Sequence, residues 1–246
     1  MWRTLTHRRS VLAAVFVSAC VSVVVGSAQT PAAAADKELR YVSTEALAPE
    51  ALLPPPVGDP SEAQAELADV RRVIAGRTPE RLAAAKWDDE HEDASLYGPT
   101  LGPRFDLKAL PATAELMSIV QDDALAAGKL AKRHFARKRP WAVDPTIPNC
   151  DPDDKPTTSY PSGHAMIGYS TGLVLAELLP NKAEVIMTRA QDYAFSRVVC
   201  GAHYPSDTRA SQALSAYLIA TLQRDPEFRA KLEAARAELR AADLAR

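Results

Sequence analysis

The chain has 246 residues, 47% of them apolar and 24% charged, the make-up of an ordinary globular protein with one sizeable core. With 29 Lys and Arg against 31 Asp and Glu, its formal charge of −2 argues against a nucleic-acid binder. Beyond residue 35 no stretch reaches the roughly 18 uninterrupted apolar residues of a membrane helix, because Glu177 breaks the nearest candidate, Ala165 to Leu179.

Residues 1–35 read as a secretory signal peptide. Arg3, Arg8 and Arg9 precede an apolar run from Val11 to Val25, and small residues follow at Gly26, Ser27, Ala28 and Ala32 to Ala35. Arg8-Arg9-Ser10-Val11-Leu12 partly resembles a twin-arginine signal, with His7 where Ser or Thr is usual, so either a general or a twin-arginine route fits. Val17-Ser18-Ala19-Cys20 resembles a lipoprotein cleavage box, but Val21 to Val25 continue the apolar run past Cys20. Cleavage removes three arginines and no acids, which takes the charge from −2 to −5. The expected location is the periplasm or the medium. Two cysteines remain, Cys150 and Cys200, and an even pair in an oxidising compartment suggests a disulfide, two buried thiols being the alternative.

Residues 36–60 are rich in Pro and Ala around Leu52-Leu53-Pro54-Pro55-Pro56 and predict an extended arm on the surface. A domain of about seven helices is predicted over 61–246. Ser61 caps a helix to about Ile74, and a second runs from Pro79 to about Asp93. Residues 92–103 read as a loop. Helical spacing returns from Pro111 to about Arg137, and Trp141 to Tyr160 is a Pro-broken loop. Further helices are predicted over 162–179, 182–199, 205–222 and 226–242. Nothing suggests a sheet, so the class is all-α.

Three segments carry the chemistry: Lys132-x6-Arg139-Pro140, Pro161-Ser162-Gly163-His164 and Ser196-Arg197-x5-His203-x3-Asp207. On one continuous helix, residues seven apart lie about 20° from eclipsed, so Lys132 and Arg139 can reach one pocket. Ser162 and Gly163 open a helix, where free N–H groups and a partial positive charge attract an anion, and His164 follows directly. His203 and Asp207 stand four apart, within reach of a carboxylate–imidazole bond that leaves the other ring nitrogen as a nucleophile. Arg197 can hold phosphate oxygens in a bidentate manner. Taken singly, each segment also reads as solvated charge or a plain helix cap. Together they suit a phosphoryl group, and no cluster with metal-ligand spacing stands elsewhere in the chain.

These motifs resemble the signature of the superfamily that joins type 2 phosphatidic acid phosphatases, bacterial class A non-specific acid phosphatases and vanadium haloperoxidases. The likeness is greatest to the class A acid phosphatases and extends over about residues 45–240, including Leu52 to Pro56 and Ser159 to His164. Thr158 and Ala165 depart from that group's tighter pattern, which has Gly and Thr there.

The resemblance implies that His203 forms a phosphohistidine and Asp207 orients it. His164 would act as general acid and then base. Lys132, Arg139, Ser162, Gly163 and Arg197 would hold the phosphoryl oxygens, with no metal or other cofactor. It also implies small phosphate monoesters as substrates and a homo-oligomer. Other readings stay open: a haloperoxidase with vanadate on His203, a soluble phosphatase of lipid headgroups, or a non-catalytic phosphate binder.

Overall fold

Asp59 opens the first long helix. Its carboxylate accepts the amides of Ser61 at 2.8 Å and Glu62 at 3.2 Å, and Pro60 takes the first helical position, where no N–H is needed. The cap is therefore Asp59, not the expected Ser61. The computed structural model describes residues 39–151 and 154–245; the expected signal peptide, Cys20 and residues 36–38 lie outside them.

Seven helices of at least 12 residues follow among the described residues, with no strand: α1 (Pro60–Gly76), α2 (Pro79–Glu90), α3 (Pro111–Phe135), α4 (Gly163–Leu178), α5 (Ala183–Val199), α6 (Pro205–Leu222) and α7 (Pro226–Ala241). This is the all-α class expected. Helix α2 ends at Glu90, earlier than predicted, because Asp93 caps the next turn by accepting the Ser95 amide at 2.7 Å. The expected loop after it holds two single turns, Ala94–Tyr97 and Gly98–Leu101.

The core forms around α4, which is apolar all round and must be covered on every side. Helices α3, α5 and α6 cover it, while α7 packs on α3 and α4, and α1 and α2 lie against α5. Close approach is built in at Gly172, where a Cβ would lie 2.4 Å from the Tyr97 hydroxyl oxygen. That hydroxyl donates to the Gly168 carbonyl at 2.5 Å. The Glu238 carboxylate of α7 accepts the first-turn amides of Ala112 (2.9 Å) and Thr113 (2.8 Å), so one helix caps another.

The Pro-rich arm is less superficial than its composition suggests. Its described part makes single turns at Thr44–Leu47 and Pro49–Leu52, and Val42, Leu47 and Leu53 are buried in the main core. Leu52 stays exposed. Three apolar side chains in a Pro-rich stretch suffice for anchoring, at roughly 1.5–3 kcal/mol for each fully buried one.

Candidate active site

Helix α3 ends at Phe135, with Ala136 in the left-handed region at φ 43°. Arg139 is therefore not on the helix that carries Lys132, and helical spacing does not bring this pair together as expected. They meet by another route. Beyond Ala136 the chain runs back along residues 156–159: the Ser159 amide donates to the Arg137 carbonyl (3.1 Å) and the Arg139 amide to the Pro156 carbonyl (2.8 Å). This pairing turns Arg137 and Arg139 inward, while Lys138 between them is exposed.

His203 is buried just before α6. Its Nδ1–H donates to Asp207 Oδ2 at 3.3 Å, and Nε2 lies 2.9 Å from Arg139 Nη1. Burial first, then Arg139, Lys132, Arg197 and His164, hold its pKa well below the usual imidazole value, so the ring is neutral. Asp207 is fully buried and richly bonded. Its Oδ2 also accepts Ser159 Oγ (2.6 Å) and the Tyr204 amide (2.9 Å), and Oδ1 accepts Arg137 Nη1 (2.6 Å).

The remaining predicted groups surround this pair. Arg139 also donates to the carbonyls of Lys155 and Ala202, both at 3.0 Å, and pairs with Asp154 at 2.7 Å. Arg197, 1% exposed at the end of α5, pairs with Asp89, and its Nε has no partner among the described residues. Lys132 donates to the Thr158 carbonyl, and its pKa is pushed down to about 7 by burial and by Arg139. Ser162 caps α4 by accepting the Ala165 amide at 3.3 Å. A Cβ at Gly163 would meet nothing closer than Leu125 at 3.9 Å, so packing within the protein does not demand that glycine. His164 Nε2 lies 3.0 Å from Glu92 Oε1 and 3.1 Å from the Asp89 carbonyl, and burial, then Arg197, lowers its pKa well below the ordinary value.

Cys150 and Cys200 are bonded, with Cα atoms 5.2 Å apart across 50 residues. The bond ties the loop that carries Asp154 to Thr158 to the chain between Arg197 and His203. Among the described residues, no group of three or more His, Cys, Asp or Glu is arranged to hold a metal ion.

Sequence reasoning missed Glu66, Asp89, Glu92, Arg137, Asp154 and Ser159. One signal was present: α2 ends in Asp88, Asp89 and Glu90, carboxylates at the negative end of a helix dipole. Such an arrangement calls for cations, and Arg189 and Arg197 supply them to Asp88 and Asp89.

A family model described as PAP2 superfamily matches residues 115–230, which hold all three motifs. The acid phosphatase of Zymomonas mobilis is 38% identical over 197 residues, 76% of this chain and 74% of that protein. The chain belongs to the PAP2 superfamily. The non-specific acid phosphatase of Salmonella typhimurium is 32% identical to this PAP2 chain over 196 residues, 76% of it and 78% of the relative. In fold the chain resembles the crystal structure of a transmembrane PAP2 type phosphatidylglycerolphosphate phosphatase from Bacillus subtilis. The TM-score is 0.51 at 18% identity, covering 69% of this chain and 88% of that one, a likeness of fold alone. No described helix of this PAP2 chain is long and apolar enough to cross a membrane.

Proposed function

We propose that this PAP2 chain is an exported acid phosphatase that hydrolyses small phosphate monoesters through a phosphohistidine. The observation that carries this reading is the His203–Asp207 pair. A neutral imidazole has one nitrogen held by a buried carboxylate, and the other faces Arg139, with Lys132, Arg197 and the His164 ring close by.

His203 Nε2 attacks phosphorus, and the ester P–O bond breaks with its electron pair leaving on oxygen. His164 protonates that oxygen. Water then attacks the phosphohistidine, His164 takes its proton, and the P–N pair returns to Nε2. Lys132, Arg139 and Arg197, with Ser162 and the Gly163 amide at the start of α4, stabilise the phosphoryl oxygens, a contribution that is often the largest in such sites. The relatives named acid phosphatase and non-specific acid phosphatase support the substrate class. The Cys150–Cys200 bond supports an oxidising compartment, and with it the signal peptide read at residues 1–35.

The test is hydrolysis of a chromogenic phosphate monoester by wild type and His203→Ala, with quenching to trap enzyme-bound phosphate. Acid-labile, base-stable phosphate on wild type and its loss in the variant are expected. Undiminished turnover by His203→Ala would reject the nucleophile.

A further inference from the structure

Behind the His203–Asp207 pair lies a second pair of charges that the three motifs do not include. Arg137 Nη1 donates to Asp207 Oδ1 and its Nη2 donates to Glu66 Oε2, both at 2.6 Å. Nη1 also reaches Ser206 Oγ at 2.7 Å, and Glu66 Oε1 accepts the Ser206 amide at 2.8 Å in the first turn of α6. The guanidinium lies 4.0 Å over the ring of Tyr204, the residue between His203 and the start of α6. All three ionic side chains are shielded: Arg137 is 11% exposed, Glu66 9% and Asp207 0%. One guanidinium thus bridges α1 to the carboxylate that holds the histidine.

We infer that Arg137, itself fixed by Glu66, is a positioning residue that keeps Asp207 ionised and aimed at His203, and so keeps Nε2 directed at phosphorus. The inference rests on the phosphohistidine reading above. A buried carboxylate favours its neutral form unless a countercharge is close. Burial raises the Asp207 pKa and Arg137 is the foremost charge opposing that rise. Among the described residues its side-chain hydrogen bonds go to Asp207, Glu66 and Ser206. A lysine would keep the charge but lose the planar fork that serves Asp207 and Glu66 at once.

The groups facing the pair come from every surrounding element. Asp207 meets Arg137, Ser159 and the Tyr204 amide directly, with Lys132, Arg139 and Tyr160 further off and Glu66 across Arg137. His203 meets Arg139, Lys132, Arg197 and His164. Protonation of the pair destroys the nucleophile, so removing a nearby positive charge makes that protonation easier. The acid limb of kcat/KM then moves to higher pH.

The experiment compares wild type, Arg137→Lys, Arg137→Met and the double variant Glu66→Met with Arg137→Met, using p-nitrophenyl phosphate and rapid quench. The double variant guards against misfolding caused by an unpaired Glu66. Expected for Arg137→Met and the double variant are phosphoenzyme formation slowed by about 10- to 100-fold and an acid limb raised by about one pH unit. Inhibition by inorganic phosphate should stay within about twofold of wild type, because the cage is intact. Arg137→Lys should keep the limb near its wild-type position while slowing the reaction. A folded variant with an unchanged limb and rate would overturn the inference, as would a loss of phosphate affinity equal to the loss of rate. A wild type that traps no phosphate would sink the phosphohistidine reading itself. A wild type that traps it, beside an Arg137→Met enzyme that traps it equally fast, would sink only the positioning role.

Discussion

Arg139 Nη1 stands 2.9 Å from His203 Nε2, the ring nitrogen turned away from Asp207. With Nδ1–H given to Asp207, Nε2 carries the lone pair, and Arg139 donates to it. In the proposed mechanism the same cation thereby orients and masks the nucleophile. A phosphoryl oxygen is a stronger acceptor than a neutral imidazole, so a bound phosphate would draw that N–H away and free Nε2 for the proposed attack.

Arg139→Lys tests this double role. Lysine cannot hold the Lys155 and Ala202 carbonyls, Asp154 and phosphate from one planar group. The expected loss in kcat is about 100- to 1000-fold, as for removal of one preorganised donor. Steady-state kinetics check it, and a variant within a fewfold of wild type would show that Arg139 only pairs with Asp154.

In the proposed mechanism the two histidines set the pH dependence. Attack needs neutral His203, and burial with the surrounding cations keeps it neutral well below the ordinary pKa. Departure of an alkoxide needs protonated His164, whose lowered pKa means that the proton is lost as pH rises through a value below 6.5. The active window therefore lies on the acid side of neutrality. Profiles with an alkyl phosphate should fall toward alkaline pH more steeply than those with p-nitrophenyl phosphate, whose leaving group needs little protonation. His164→Ala should accordingly lose far more activity on the alkyl ester. A rate still climbing above about pH 9 would contradict the assigned acid.

Much of this site was legible in the sequence because its chemistry is concentrated in short spacings. His203 and Asp207 are four apart, and Ser162 opens α4 where a Pro-broken loop meets an apolar run. What spacing cannot encode is contact between distant segments. Arg137 meets Glu66 across 71 residues and Arg197 meets Asp89 across 108, so neither pair leaves a local pattern. Arg137 stands in sequence beside Lys138 and Arg139 with nothing to single it out, and only the reversal of the chain at Ala136 turns it inward. The helix ends were legible where Pro stands at the first position, as at Pro79, Pro205 and Pro226. They failed at Ser61, where Asp59 before Pro60 makes the stronger cap.

Lys132 adds a second pH effect, this one on binding. With a pKa pushed down to about 7, it is charged below that pH and neutral above it. Affinity for an anion should therefore weaken as pH rises through about 7 in the free enzyme. The inhibition constant of inorganic phosphate measured across that range should rise in wild type and stay high and flatter in Lys132→Met. Equal pH dependence in the two proteins would assign the effect to another group.

The Cys150–Cys200 bond and Gly201 hold the same junction, and their loss should be felt at the site as well as in stability. Gly201 has φ +74°, and a Cβ there would lie 2.2 Å from the Pro148 carbonyl oxygen and 2.8 Å from Ile147. Gly201→Ala must therefore move the loop that the disulfide fixes, beyond the roughly 1–2 kcal/mol that a left-handed alanine costs by itself. Opening the bond, as in Cys150→Ala with Cys200→Ala, releases a 50-residue loop and should cost about 2–5 kcal/mol. Denaturant unfolding of both variants measures these losses. Because residues 155–158 of that loop supply the carbonyls that hold Arg139 and Lys132, kcat/KM should fall in folded protein too, well below the unfolding midpoint. Full activity in a destabilised but folded variant would show that the bond supports the fold alone.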